Sequence, residues 1–152
     1  MNTKSVHNSV ANISKSVHPK CVICSSVNLS GLGLQFEANG DGSVNATFQC
    51  DESCEGYPGI LHGGVILSLL DGAMGNCMFL HGRATVTVEM TTRFRHPVVT
   101  GQEAIVSARI TRISYPLYLL EAEIIQGGKV KATAKGKYYD QPKLAHIVEQ
   151  FS

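Results

Sequence analysis

Residues 62–80 read HGGVILSLLDGAMGNCMFL, and this stretch determines the fold that the rest of the chain can adopt. Its apolar side chains recur at the spacings of an α-helix but cover most of the circumference: Val65, Ile66, Leu69, Leu70, Ala73, Met74, Cys77 and Met78. A helix that is apolar nearly all round is buried. Its glycines, Ser68, Asp71 and Asn76 make the segment too polar for a membrane span of about 20 apolar residues.

Strand-like alternation of apolar and polar residues flanks this helix on both sides. Before it, Leu32, Leu34 and Phe36 alternate, then Val44, Ala46 and Phe48, with a turn at 39–42 between the two runs. After it, four segments alternate, over residues 85–95, 104–111, 120–124 and 130–138, and a Gly127-Gly128 turn joins the last two. The order ββ–α–ββββ predicts an α+β fold, with an antiparallel sheet of about six strands curled around one central helix.

In the strand after the helix, strict alternation assigns the side chains to two faces. One face is predicted to hold Val86, Val88, Met90, Thr92 and Phe94. The other is predicted to hold Thr85, Thr87, Glu89, Thr91, Arg93 and Arg95. Pro97 ends the strand, since proline has no N–H for the ladder.

The composition indicates one globular domain and few charged partners. The 152 residues are 43% hydrophobic and 16% charged, against a usual charged share of about 25%. A net charge of +1 gives no indication of nucleic acid or a membrane surface as partner, and the low charge favours a homo-oligomer. We expect a loosely ordered arm at 1–18, a domain at 19–140 and a tail at 141–152. The arm has no apolar core of the length of a secretory signal, which predicts a cytoplasmic protein.

One stripe of the central helix differs from its apolar surroundings. Gly64, Ser68, Asp71 and Gly75 are spaced by three or four residues and therefore share a face. Small residues let a ligand or another backbone approach, and a carboxylate among apolar groups suits general-base or nucleophilic chemistry. The alternative is a helical aspartate that bonds a neighbouring backbone group.

The start of the helix, His62-Gly63-Gly64, is a second candidate. Free N–H groups at a helix start attract negative charge, so they can hold the oxygen of a thioester or ester carbonyl; the alternative is a tight turn. Asp71 follows Gly64 by seven residues, about 10 Å at 1.5 Å per residue. That is too far for both to touch one carbonyl within one chain, which favours a composite site at a dimer interface.

Residues 56–71, GYPGILHGGVILSLLD, resemble the core motif of hotdog-fold acyl-CoA thioesterases of the phenylacetate-degradation (PaaI-like) type. The flanking runs CVIC at 21–24, VTVEM at 86–90 and FRHPV at 94–98 are also similar to that family. The resemblance covers roughly residues 20–140. It implies a hotdog fold, hydrolysis of an acyl-CoA without a cofactor, and a homodimer or homotetramer with active sites at the subunit interface.

The resemblance also implies roles for single residues. Asp71 would attack the thioester or activate water, while Gly64 of the partner subunit would donate its N–H to the thioester oxygen. His62 would shape that helix end, and the Thr87 hydroxyl would position the water. The substrate-binding candidates are Gly63, Ser68, Arg93, Arg95 and His96; the basic ones either meet CoA phosphates or form a solvated surface.

The cysteines offer a weaker alternative chemistry. Cys21 and Cys24 form a CxxC with His18 three residues upstream, and zinc needs about four ligands. Cys50 and Cys54 are the candidates for a second pair, but three residues separate them and they lie beside the motif at 56–71. We expect reduced, part-buried thiols and no metal.

Two other functions are compatible with such a chain. A non-catalytic acyl-CoA-binding or regulatory protein is the main alternative, although a binder has no use for a costly buried carboxylate. A hotdog dehydratase would need a His–Asp pair, whereas His62 lies at the start of the helix, away from Asp71. The sequence holds no Walker, GxGxxG, HExxH or GxSxG pattern.

Overall fold

The computed structural model describes residues 14, 15 and 17–144. These residues form six strands, namely β1 (Glu37–Ala38), β2 (Val44–Gln49), β3 (Thr85–Phe94), β4 (Glu103–Ser114), β5 (Leu117–Gln126) and β6 (Lys129–Asp140). The helix α1 (Gly63–Leu80) follows β2, after a short 3-10 turn at Glu52–Cys54. The predicted ββ–α–ββββ order is confirmed. Most of the expected arm at 1–18 and tail at 141–152 lies outside the described residues.

The sheet is antiparallel throughout, in the order β1-β2-β4-β5-β6-β3. It curves around α1, and nine residues of the helix are buried, seven of them in the core between helix and sheet. The inner face of the sheet packs on the helix, as strand β5 illustrates. Its alternate residues are buried toward the helix: Tyr118, Leu120, Ala122, Ile124 and Gln126. The turn at Gly127 and Gly128 is as predicted, with φ of 59° and 73°.

By length and composition alone, α1 is apolar enough to cross a membrane, with a mean hydropathy of 1.4. The expectation that its polar residues make this segment too polar for a membrane span was therefore wrong. Half of the helix is buried inside the fold, so packing against the sheet accounts for its apolar residues. The core helix of a globular domain can have the same length and mean hydropathy as a membrane span.

The first strand is much shorter than the alternation of Leu32, Leu34 and Phe36 predicted. Only Glu37–Ala38 pairs with β2. The preceding backbone bonds a different partner: the N–H groups of Leu32 and Leu34 donate to the carbonyls of Val22 and Ile23. Leu34 and Phe36 are buried as expected, but in a segment that packs on the 21–24 turn instead of extending the sheet.

Strand β3 does not keep the two faces that strict alternation assigned to it. Its register with β6 shifts between Thr87 and Glu89, so one extra residue interrupts the pleat. Thr87 pairs with Tyr138, whose side chain is buried on the helix side, whereas Glu89 pairs with Lys137 on the outer side. Thr87 therefore lies on the inner face, and the predicted faces are wrong for the residues before the bulge.

Candidate active site

Asp71 lies in the middle of α1, half-buried, opposite β3 and β6. Its Oδ1 accepts two hydrogen bonds, one from the Thr87 hydroxyl at 2.7 Å and one from the Tyr138 hydroxyl at 2.7 Å. Within the described part of the chain, Oδ2 accepts no hydrogen bond. One carboxylate oxygen is thus fixed by two donors, and the other remains open to a ligand or a water.

Tyr138 is a site residue that the sequence did not reveal as such. It is only 1% exposed, at an inward position of β6. Burial, reinforced by the neighbouring negative charge of Asp71, raises the pKa of Tyr138 well above its usual range. The phenol therefore stays protonated and donates. The only sequence signal was a tyrosine on the core face of a strand, where its hydroxyl must find a partner.

Thr87 reaches Asp71 because of the β-bulge that follows it. Its side chain is exposed, so solvent reaches this side of the carboxylate. A hydroxyl that donates its proton keeps lone pairs that accept another hydrogen bond. The residue chosen from the family resemblance therefore lies beside Asp71, although strict alternation pointed it the other way.

The side chain of His62 caps the start of α1. Nδ1 of His62 accepts a hydrogen bond from the Gly64 N–H at 2.8 Å, which is an N-cap interaction. Both residues are exposed, and a Cβ placed on Gly64 would meet only the His62 ring, at 3.1 Å. In this chain the N–H expected to hold a substrate oxygen therefore bonds an exposed ring that can be displaced.

The rest of the small-residue stripe lies on the less buried face of α1. The Ser68 hydroxyl donates to the Gly64 carbonyl at 2.9 Å, so it is held within the helix. A Cβ on Gly75 would meet nothing within 4 Å, while one on Gly63 would touch the Phe94 ring at 3.6 Å. The helix is therefore not buried all round, and its open face carries Asp71.

The basic candidates lie apart from Asp71 within one chain. Arg93 and Arg95 are exposed and line a shallow cleft of about 380 Å³ on the outer face of the sheet, together with Thr91, Thr133, Ala134 and Lys135. Desolvation, then the positive Lys129, Lys131 and Arg95, lower the pKa of His96. Arg93, Arg95 and His96 flank Phe94 in the sequence, and the Phe94 ring lies beside Gly63. The basic cluster is therefore at the end of the molecule where α1 begins.

Sequence comparisons match this chain to a thioesterase family and to two known proteins. A family model described as the thioesterase superfamily matches residues 58–133, half of the chain. The acyl-coenzyme A thioesterase THEM4 of Bos taurus is 28% identical over 86 residues, which cover 55% of this chain and 35% of that protein. A putative esterase of Haemophilus influenzae is 30% identical over 95 residues, 60% of this chain and 67% of that one. The chain thus matches about a third of the bovine protein's length.

Solved structures show the same architecture. The PaaI protein of the Escherichia coli phenylacetic acid degradation operon aligns with a TM-score of 0.75, at 19% identity, over 90% of this chain and 96% of that one. A hypothetical thioesterase of Streptococcus pneumoniae, solved with coenzyme A, aligns with a TM-score of 0.67, at 18% identity, over 71% and 88%. At these identities the likeness concerns the fold, and it confirms the expected hotdog fold.

Proposed function

This chain belongs to the thioesterase superfamily, and from that premise we propose that it hydrolyses an acyl-CoA thioester to the free acid and CoA. The observation that carries the proposal is the Asp71 carboxylate. Two hydroxyl groups hold its Oδ1, and its Oδ2 has no donor among the described residues. A carboxylate held this way is positioned to take a proton. The acyl-CoA thioesterase among its relatives supports the choice of substrate class.

Asp71 acts as a general base on a water molecule. The water forms one hydrogen bond to Oδ2 of Asp71 and a second to the Thr87 hydroxyl oxygen. The Thr87 hydroxyl itself donates to Oδ1. As Asp71 takes the proton, the water oxygen bonds to the thioester carbon and the carbonyl becomes an oxyanion. The oxyanion collapses, the C–S bond breaks, and the leaving CoA thiolate takes up the proton that Asp71 held. Tyr138 keeps Oδ1 in place throughout.

The oxyanion is held by the Gly64 N–H of a second chain. Gly64 and Asp71 are seven residues apart on one regular helix, about 10 Å along its axis. One chain therefore brings only one of the two to a given carbonyl. The substrate oxygen takes the N–H that the exposed His62 ring occupies in the free chain. The positive end of the helix dipole then favours the developing negative charge.

A homodimer supplies that second chain. Strand β3 is an edge of the sheet, and exposed apolar side chains lie along it: Val86 (41%), Val88 (57%) and Phe94 (54%). The open face of α1 that carries Asp71 lies beside this edge, because Thr87 and Phe94 of β3 contact it. Edge strands with apolar side chains favour pairing with another copy. A dimer formed here would bring Gly64 of one chain near Asp71 of the other.

The CoA phosphates bind the basic cluster of Arg93, Arg95 and His96. Arginine pairs with phosphate through two parallel N–H bonds. In space, the cluster lies at the end of the domain where α1 begins. The subunit that supplies the Gly64 N–H therefore also supplies the phosphate contacts. A phosphate near His96 would raise the pKa that desolvation and the surrounding cations lower.

The experiment that tests the function measures thiol release. Purified protein is incubated with a panel of acyl-CoA thioesters of varied chain length and with aromatic acyl groups. We expect release of free CoA from at least one of them, at a kcat of about 1 s⁻¹ or more. Binding of acyl-CoA in calorimetry, with no thiol released from any panel member, would establish the non-catalytic alternative instead.

A further inference from the structure

A cluster of metal-binding side chains lies in the turn that precedes β1, and the hydrolysis does not use it. His18, Cys21 and Cys24 are all half-buried, and their ligand atoms lie within 4.8 Å of one another. Backbone hydrogen bonds form the turn, from the Cys21 N–H to the His18 carbonyl and from the Ser25 N–H to the Cys21 carbonyl. The three-residue spacings then direct an imidazole and two sulfurs to one point.

We propose that this cluster binds one Zn²⁺ ion through Nε2 of His18 and Sγ of Cys21 and Cys24, with a water as the fourth ligand. Nε2 of His18 and Sγ of Cys24 are 3.5 Å apart. A tetrahedral zinc ion with bonds of about 2.1 Å to nitrogen and about 2.3 Å to sulfur separates the two by about 3.6 Å. The side chains are therefore close to the spacing of a zinc site.

The chemistry of the ligands favours zinc over other divalent ions. Thiolate sulfur and imidazole nitrogen are ligands that zinc takes readily, whereas calcium and magnesium prefer oxygen. The Ile23 N–H donates to Sγ of Cys21 at 3.4 Å, and the Ser14 hydroxyl lies 3.4 Å from Sγ of Cys24. Such bonds to sulfur are weak, so they leave both sulfurs able to bind a metal. Two thiolates would also balance the charge of Zn²⁺.

The surroundings hold the ligands in place. The His18 ring packs edge-on against the Phe79 ring, with centroids 4.7 Å apart and an interplanar angle of 77°. Asn76, only 3% exposed, donates from its amide to the Gly72 carbonyl at 2.9 Å and lines the same cavity as His18 and Cys24. Groups that fix metal ligands from behind are typical of metal sites. Cys50 and Cys54, considered as a second pair, are not part of the cluster.

The ion would hold the turn in the conformation that packs on the core helix. Ile23 packs so closely on Gly72 that a Cβ there would come within 2.5 Å of it. Around α1, Gly72 lies about 100° and Asn76 about 140° from Asp71. The turn that holds the cluster therefore packs on a different face of α1 from Asp71, which gives the zinc a structural role.

The test uses the full-length protein, made without a metal-affinity tag in zinc-supplemented medium and purified under reducing conditions. We expect about one zinc ion per chain by elemental mass spectrometry. After chelation, added Co²⁺ should give the absorption bands of thiolate-bound tetrahedral cobalt. Loss of a residue that merely supports a metal ligand weakens binding by about 10- to 100-fold. Cys24→Ser and His18→Gln remove ligands, so each should weaken Co²⁺ binding by at least that factor. Cys54→Ser, a half-buried cysteine outside the cluster, is the matched control and should bind as the parent does.

Thermal unfolding gives a second readout that does not require a direct assay of the bound metal. Chelation should lower the Tm of the parent and of Cys54→Ser, and leave that of Cys24→Ser unchanged. Reduced parent protein with neither zinc nor a cobalt spectrum would overturn the proposal. So would equal metal binding by Cys24→Ser, or a Cys21–Cys24 disulfide in freshly purified protein. None of these readouts depends on thioesterase activity.

Discussion

The hydroxyl of Tyr138 lies 2.7 Å from Oδ1 of Asp71, although 67 residues separate the two in the chain. The contact exists because β6 lies next to β3 in the sheet and faces the middle of α1. The same oxygen accepts from Thr87, which is opposite Tyr138 in the strand register. Two neighbouring strands therefore fix one carboxylate oxygen of a helix residue, which defines the direction of the other oxygen.

Replacement of Tyr138 by phenylalanine should lower kcat with little effect on KM. The change removes one donor to a charged oxygen, worth about 1.5–3 kcal/mol, so we expect a loss of at least about tenfold. Tyr118→Phe is the matched control, since Tyr118 is buried on β5 opposite Tyr138. Steady-state kinetics of both variants check this. A Tyr138→Phe enzyme with the parental kcat would remove Tyr138 from the site.

The general-base role of Asp71 predicts the fate of isotope-labelled water. In a single turnover in H₂¹⁸O, the label should enter the product acid and be absent from the peptide that contains Asp71. A nucleophilic Asp71 would instead form an acyl-enzyme anhydride, whose hydrolysis can leave the label on the aspartate. Mass spectrometry of the quenched protein distinguishes the two. An acyl adduct or an ¹⁸O label on that peptide would contradict the general-base role.

Hydrolysis should not depend on a metal ion, because the proposed reaction uses a carboxylate, two hydroxyls and a backbone N–H. Chelator-treated protein, assayed well below its unfolding temperature, should keep the parental rate even though its Tm falls. Cys24→Ser should do the same, which separates the structural zinc from the chemistry. Activity that disappears on chelation and returns with added zinc would show this independence to be wrong.

The shared site predicts complementation between two inactive variants. Asp71→Ala removes the base, and Gly64→Leu blocks the oxyanion site while disturbing only the exposed His62 ring. After subunit exchange about half of the dimers are mixed, and each mixed dimer has one intact site of two, so about a quarter of the parental activity should return. Exchange is verified with differently tagged chains. Folded, exchanging variants that stay inactive would place both groups within one chain.

The elements that could be predicted from the sequence are those whose signal is local. The helix at 62–80 and the later strands follow from periods of 3.6 and 2, because burial imposes those periods directly. The orientation of Thr87 could not be predicted, since the bulge after it leaves no mark in the alternation. The extent of β1 was also missed, because the backbone of the preceding Leu32 and Leu34 bonds the distant Val22 and Ile23.

The site shows the same division. Asp71 and Gly64 stood out as a carboxylate on an apolar helix and a glycine at its start. The Tyr138 contact depends on which strand lies beside β3, a long-range pairing that no local pattern encodes. The approach of His18 to Cys21 and Cys24 was visible as spacing alone, and the backbone turn completes it.

The measurement that tests the account most directly is the acyl-CoA hydrolysis rate of Asp71→Ala. Loss of the general base should lower kcat by at least about a hundredfold, with an unchanged fold by circular dichroism and gel filtration. Asp41→Ala, which removes an exposed turn carboxylate, is the control for charge and should hydrolyse at the parental rate. If folded Asp71→Ala releases CoA as fast as the parent, Asp71 is not the base and the proposed mechanism is wrong.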